Sequence, residues 1–536
     1  MIEYLYNDDS HGLTGIMTSE HVIDDRVDHV AALGVTSFAQ CVNSMKTNYL
    51  SKVWDSYCAG FDPDGPDDQP LFAHCDPAMV KQYRGFAENL ARLAARGIDY
   101  PGRTFARCRQ KGMAPWVSVR MNDFHHTMEG FNHPAQNSFW RSNPEFRRRP
   151  NYFEDRQWQA LDYGRPQVRE HYRSLIEEVL ERYDVDGLEM DFMRSPFLFK
   201  VGREREGGDI LTGWLRDQVR PLATKAAETW GHPVQLSVRV PTRPMTALRL
   251  GLDVVAWARE GLIEVVVLES SPYSGLVDCD MPIRLWRDLI KPHGVKLIGA
   301  VLPAPSDFRY PGATTDRFAG LASSAADVIV GIVVCMLHEG ADGVQLYNFG
   351  PEGVAHCGRG WTAESVDRTL KALRSLESLL PLRRRHIVTC SHITAPGELI
   401  AHNPLIRRGG SWMATFDSGQ YPLPAEGNRL AFRLQSGPRP SGRNVQVVIG
   451  MEAGLPGANH ISDTGPMLMV NDVSCKPHPV KPGDVLFTFD VPEQAMADGE
   501  HVIEVIAEGW AAAGSAHALR VTRVELLIDE ERVKDD

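Results

Sequence analysis

The sequence predicts a closed (β/α)8 barrel followed by a C-terminal β-sandwich. Three observations lead there. Residues 1–350 alternate strand-like and helix-like segments, with eight strand-like segments among them. Near residue 385 helical periodicity stops, and short β-rich stretches separated by Pro and Gly take over. The chain has 536 residues, more than one core usually holds. Eight βα units close into a parallel barrel more readily than they spread into an open sheet.

The strand segments are Ile2–Asn7, Val35–Val42, Ala114–Met121, Gly187–Phe192, Val234–Val240, Glu264–Leu268, Lys296–Leu302 and Gly343–Phe349. Most are rich in Val, Ile, Leu and aromatics and follow a Gly or Pro signal. The clearest helix runs from Pro166 to Tyr183. There Val168, Tyr172, Leu175, Ile176, Val179, Leu180 and Tyr183 form one apolar stripe, and Pro166 suits the first turn. Further helices are expected at 20–33, 77–96, 209–230, 280–291, 318–339 and 363–379. Long connections at 44–76 and 123–162 follow the second and third strands, where substrate sites are usually built. Pro381 and the run Arg383–Arg385 mark a linker. The expected domains are a barrel over 1–380 and a jelly-roll-like accessory sandwich over 381–536. Its strands are Arg429–Leu434, Val445–Ile449, Met467–Val470, Val485–Phe489, His501–Ala507 and Arg520–Ile528.

A net charge of −12 argues against nucleic acid or an anionic membrane as partner. Nine scattered cysteines without a CxxC pair fit reduced thiols, so neither a disulfide frame nor a zinc site is expected. The N-terminus lacks the basic and apolar regions of a secretory signal, and the longest apolar run, Val328 to Leu337, is too short to span a bilayer. A cytoplasmic location is expected, with no cofactor and no metal; homo-oligomer formation is left open.

Polar residues cluster at the ends of the strand segments. Glu189 and Asp191, spaced i and i+2, share one face of the fourth strand. Asp8, Asp9, Asn43, Arg120, Asn122, His125, Arg194, Arg239, Glu269, Tyr347 and Asn348 stand at the same end of their strands. That end of a parallel barrel is where its enzymes do chemistry. Paired carboxylates suit glycoside hydrolysis: one protonates the leaving oxygen, the other attacks the anomeric carbon or activates water. Arg194 and Arg239 are placed to keep a carboxylate ionised. Trp140, with Trp116, Phe124, Trp158, Tyr273 and Tyr347, offers faces for sugar stacking; Asn and His donors can read hydroxyls. The run Arg147–Arg149 reads as a solvated loop. His125, His126, His133 and Asp123 lack metal-motif spacing and read as sugar contacts. Trp412 and Trp510 are candidates for a sugar platform on the sandwich, with core burial as the alternative.

The run Trp158-Gln-Ala-Leu-Asp-Tyr-Gly-Arg-Pro-Gln-Val-Arg, then Glu181-Arg-Tyr-Asp-Val-Asp-Gly-Leu-Glu-Met-Asp-Phe-Met-Arg194, resembles the bacterial "family 10-like" glycosyl hydrolases, as does Ser118-Val-Arg-Met-Asn-Asp. The resemblance covers roughly residues 1–350 and implies a TIM barrel that processes glycans. Asp186 to Met193 also looks like the chitinase fourth strand, but Met193 stands where that motif has its acid. Asp191-Phe-Met-Arg194 is similar to the fourth-strand motif of the α-galactosidase clan. That likeness implies Asp191 as nucleophile and an acid/base at the end of the sixth strand, where Glu269 stands. The expectation is a hydrolase of small oligosaccharides with Asp191, Glu269 and Glu189 as catalytic residues, acting with retention. Asp8, Asn43, Arg120, Asn122, His125, Trp140, Arg194, Arg239, Tyr347 and Asn348 are the expected substrate contacts. Inversion, a sugar-binding barrel without turnover and a metal-dependent lyase or isomerase are the alternatives.

Overall fold

Alternating apolar residues carry eight segments into strands that pair in sequence order and close on themselves. In the computed structural model the described residues are 2–10, 19–73, 75–127, 133–149, 156–269, 281–301, 325–348, 363–388, 395, 421–422, 429–453, 465–481, 484–507 and 519–529. The barrel strands are β1 (Glu3–Asp8), β2 (Ser37–Cys41), β3 (Ala114–Arg120), β4 (Gly187–Asp191), β5 (Gln235–Pro241), β6 (Val265–Glu269), β7 (Lys296–Val301) and β8 (Gly343–Tyr347). All neighbours are parallel, and β1 pairs with β8 to seal the ring.

The inward faces form three layers, stacked from floor to mouth. The floor is apolar, built from Leu5, Ala39, Trp116, Val265, Val267, Ile298 and Ala300. Gly187 leaves the room that the Trp116 ring fills, because a Cβ there would lie 2.4 Å from the indole. Above it, Ser118, Glu189 and Ser237 are register neighbours across β3, β4 and β5. One step higher, Arg120, Asp191 and Arg239 align in the same way. The outward strand residues pack with the helices into the main core.

The helix Pro166–Arg182 buries its expected stripe and has Pro166 in its first turn. The segment expected as one helix over 209–230 divides into Glu204–Trp214, a π turn at Leu215–Val219 and Arg220–Trp230. Pro221 has no N–H for the carbonyl four residues back, and the wider turn accommodates the break. A helix at Tyr100–Gln110 was not expected. Its sequence opens with Pro and Gly, yet Tyr100, Thr104, Phe105 and Cys108 bury one stripe. No helix among the described residues is long and apolar enough to cross a membrane.

The second part is a sandwich of two antiparallel sheets. Its strands are β9 (Arg384–Ile387), β10 (Tyr421–Pro422), β11 (Arg429–Gln435), β12 (Val445–Ala453), β13 (Met467–Val470), β14 (Val473–Ser474), β15 (Lys476–Pro477), β16 (Leu486–Asp490), β17 (Glu500–Ile506) and β18 (Leu519–Ile528). One sheet runs β10-β18-β12-β16-β15, with β9 also on β18; the other runs β11-β17-β13-β14. Phe432, Val447, Ile449, Phe487, Phe489, Ile503 and Leu526 meet in the core between them. The arginine run expected as a linker supplies β9 instead. Arg385 pairs there with the buried Glu525 at 2.8 Å. Strand β9 lies against the helix Ala325–His338 so closely that a Cβ on Gly331 would meet the Arg385 carbonyl oxygen at 2.2 Å. Trp412, Trp510 and Tyr273 lie outside the described residues.

Candidate active site

Strand parity decides which polar residues reach the mouth. Asp191 ends β4 with an inward carboxylate. Its Oδ1 accepts from the Met193 backbone N–H at 2.8 Å, and its Oδ2 from Arg239 Nη1 at 3.1 Å. Arg239, fully buried on β5, also makes a close ion pair through Nη2 with Glu269 Oε2, without aligned hydrogen-bond geometry. The other Glu269 oxygen, Oε1, has no hydrogen-bond partner among the described residues. One guanidinium thus joins acids that are far apart in the sequence. The Tyr347 ring lies beneath that guanidinium, 4.1 Å from its carbon.

Glu269 is pushed up to about 8. Burial is the main cause, Arg239 opposes it, and Asp191 adds to it as a neighbouring negative charge. Glu189 is also raised by burial, against the pull of Arg239. Its setting differs, however. Oε1 accepts from Asn7 Nδ2 at 2.5 Å and Ser118 Oγ at 2.9 Å, and Oε2 accepts from Gln345 Nε2 at 2.6 Å. Glu189 therefore braces β4 against β1, β3 and β8 one layer below the mouth.

Beside the acid pair a closed ring of hydrogen bonds crosses the mouth. Asp9 Oδ2 accepts from Arg120 Nη2 at 3.0 Å. Arg120 Nη1 donates to Asp123 Oδ2 at 3.1 Å. Asp123 Oδ1 is 2.7 Å from His125 Nδ1. His125 Nε2 is 2.9 Å from Arg194 Nη2, and Arg194 Nη1 donates to Tyr347 Oη at 3.1 Å. The Tyr347 hydroxyl donates back to Asp9 Oδ2 at 3.2 Å. An arginine only donates, so His125 accepts at Nε2 and carries its proton on Nδ1. Burial pushes the imidazole below its ordinary value despite Asp123, in keeping with that neutral form. Burial acts to raise Asp123, but His125 and Arg120 outweigh it and hold the carboxyl well below the usual range. Asn348 takes a left-handed φ of 58°, which Asn tolerates, and its Oδ1 accepts from the Asp9 N–H at 2.9 Å.

Of the expected site residues, Asp191, Glu269, Arg239, Arg120, His125, Arg194, Tyr347 and Asn348 come together here, and Glu189 lies just below. Four others are held in framework contacts instead. Asp8 points to the opposite strand face and pairs with buried Arg26. Asn43 bonds the Arg120 backbone from both ends of its amide. Asn122 fastens the insertion after β3 through Leu161 and also donates to the Phe197 carbonyl in the loop after β4. Trp140 is buried in that insertion, with Nε1 on the Gln159 carbonyl at 2.7 Å and Arg147 stacked 3.6 Å from its ring. Arg147 and Arg148 are likewise buried, contrary to the solvated loop expected. Asp9 and Asp123, read with the mouth residues but not among the ten expected substrate contacts, join the ring; Asp9 shares parity with Asn7.

His126 stacks on His133 at 3.7 Å with Tyr83 edge-on to both. Among the described residues no group of three or more His, Cys, Asp or Glu could hold a metal ion. Cys41 reaches the mouth, but burial pushes its thiol up to about 12. Two described cavities, of about 260 and 320 Å³, lie outside this cluster; the first is lined by Asp162, Arg165, Phe199 and Arg203, the second by Trp54, Asp55, Phe139 and His171. Segments 270–280, 302–324 and 349–362, which follow β6, β7 and β8, lie outside the described residues.

No family model matches the chain, the family 10-like group included. No curated protein matches it either. Solved structures are similar at low identity. A noncanonic maltogenic alpha-amylase from Thermotoga neapolitana matches with 10% identity and a TM-score of 0.36, over 94% of this chain and 99% of that one. An alpha-amylase from Lactobacillus plantarum matches with 10% identity and a TM-score of 0.36, over 94% and 98%. A cycloisomaltooligosaccharide glucanotransferase from Paenibacillus sp. matches with 8% identity and a TM-score of 0.32. Here 97% of this chain spans 57% of that one.

Proposed function

We propose that this protein is a glycoside hydrolase whose barrel mouth cleaves small oligosaccharides with Asp191 as nucleophile and Glu269 as acid/base. The observation that carries the reading is the shared guanidinium. Arg239 holds Asp191 and Glu269 side by side, and burial keeps the second of them protonated near neutral pH. Two acids on adjacent nitrogens of one arginine favour the short spacing of about 5–5.5 Å that retaining enzymes use, over the wider spacing of inverting ones.

In the first step Glu269 gives its proton to the glycosidic oxygen as Asp191 attacks the anomeric carbon. The C–O bond breaks, the alcohol leaves, and a glycosyl ester forms on Asp191. In the second step Glu269, now a carboxylate facing Arg239, takes a proton from water. The resulting hydroxyl attacks the same carbon and frees Asp191. Arg239 serves both steps, hydrogen-bonding the attacking Asp191 carboxylate in the first and facing the Glu269 carboxylate in the second. Arg194 binds sugar hydroxyls, held in place by His125 and Tyr347, and Glu189 fixes the strand that carries Asp191. In this reading the enzyme is cytoplasmic and acts on imported oligosaccharides.

The test is a screen of aryl glycosides and oligosaccharides with product analysis. For a substrate that is cleaved, Asp191→Asn is expected to lower kcat at least about 10³-fold while sugar binding stays measurable by calorimetry. Turnover near the parent rate in that variant removes Asp191 from the role. Sugar binding with no cleavage of any glycoside favours a binding barrel.

A further inference from the structure

We propose that Asp9, Asp123 and His125 are positioning residues that act through Tyr347 on Arg239, and so set the placement of Asp191 and Glu269. The inference rests on the reading of those two acids as the reacting pair. Its basis is the closed ring Asp9–Arg120–Asp123–His125–Arg194–Tyr347, each link between 2.7 and 3.2 Å. The ring spans β1, β8, the β3 end and the residues just past β4. It touches the acid pair at one aromatic face, where the Tyr347 ring lies 4.1 Å from the Arg239 guanidinium carbon. Tyr347 is held by its hydroxyl at two points, so the far end of the ring cannot shift away from Arg239 without breaking a link to Asp9 or Arg194. Arg120 is also the register neighbour of Asp191, itself the neighbour of Arg239.

The ring contains two carboxylates, two guanidiniums, a neutral imidazole and a phenol, so its members balance in formal charge. One member, Arg194, also lowers Glu269 directly by its charge, so the ring acts on the acid pair through the placement of Arg194 as well as through the Tyr347 face. Cutting it at an uncharged member tests placement without removing a charge.

Tyr347→Phe removes both hydroxyl links and keeps the aromatic face. His125→Asn retains a polar group near the Nδ1 position and loses the reach to Arg194, at a side chain that is 29% exposed. The readout is the protonated-carboxyl infrared band of Glu269, assigned by its loss in Glu269→Gln and followed with pH. Both cuts are expected to loosen Arg239 from Glu269 and move the band's midpoint upward by about one pH unit. Kinetically, kcat should fall about tenfold with KM within about twofold. A merely structural ring would lower the melting temperature and leave the midpoint in place. An unchanged or lowered midpoint in either folded variant overturns the inference. The infrared titration needs no turnover, so a failure to find any cleaved glycoside sinks the hydrolase reading without deciding this one.

Discussion

Glu269 keeps its proton through neutral pH because burial outweighs the attraction of Arg239. Two outcomes follow at this scale. A hydrolase using Glu269 as the acid loses kcat/KM as pH rises through about 8, and Glu269→Gln removes that limb while lowering kcat by about 10²–10⁴ for substrates with poor leaving groups. The same group links stability to pH. Its folded value lies above its ordinary 4.5, so between 4.5 and about 8 the folded state holds a proton that the unfolded chain releases. Glu269 therefore makes the fold progressively less stable as pH rises across that window. Glu269→Gln should unfold at a higher temperature than the parent at pH 9 and show little difference at pH 4; thermal melts at the two pH values check this. Strand parity was read only for Glu189 and Asp191; carried along the other strands, it would have turned Asp8, an expected substrate contact, away from the mouth. Asp191, Arg239 and Glu269 are inward and Asp8 is outward, since one step along a strand turns a side chain to the other face. Asn43, Asn122 and Trp140 were not separable in this way. They stand beyond strand ends, where alternation stops and backbone partners decide orientation.

Strands and helices owe their positions to close contacts that a sequence shows only as a small residue. Gly187 admits the Trp116 ring into the barrel floor. Gly187→Ala is expected to destabilise the protein by about 1–3 kcal/mol through overpacking, read as a lower denaturant midpoint at unchanged slope. The eight barrel strands were readable because each joins an apolar core to polar neighbours at fixed period. The helix Tyr100–Gln110 was not, because Pro and Gly at its start read as a turn while tertiary packing of Tyr100 and Phe105 decides its fate. Strand β9 was read as a linker for a similar reason. Three consecutive arginines look solvated until Glu525 and the β18 edge supply partners.

For the whole molecule, the two parts meet along one helix of the barrel. Strand β9 crosses the helix Ala325–His338 at Gly331, and Gly437 sits against Val334. Arg443 reaches back to the Leu380 carbonyl at 2.8 Å. That helix leads into β8 and hence to Tyr347. Gly331→Ala forces a Cβ against backbone, so it should lower the melting temperature of barrel and sandwich together in calorimetry. Separate transitions, with only the sandwich weakened, would contradict a shared seam. A change from helical to strand texture was visible in the sequence near this seam, but the docking was not, because it depends on what each glycine omits.

The apolar floor of the barrel has a further consequence. Among the described residues, Leu5, Ala39, Trp116, Val265, Val267, Ile298 and Ala300 pack into one apolar cluster below the acids. In the proposed reaction, incoming water and departing alcohol use the mouth as a common doorway. A sugar ester on Asp191 would then partition between hydrolysis and capture by whichever hydroxyl arrives through that doorway. In methanol-containing buffer, a methyl glycoside of unchanged anomeric configuration should accumulate beside the free sugar.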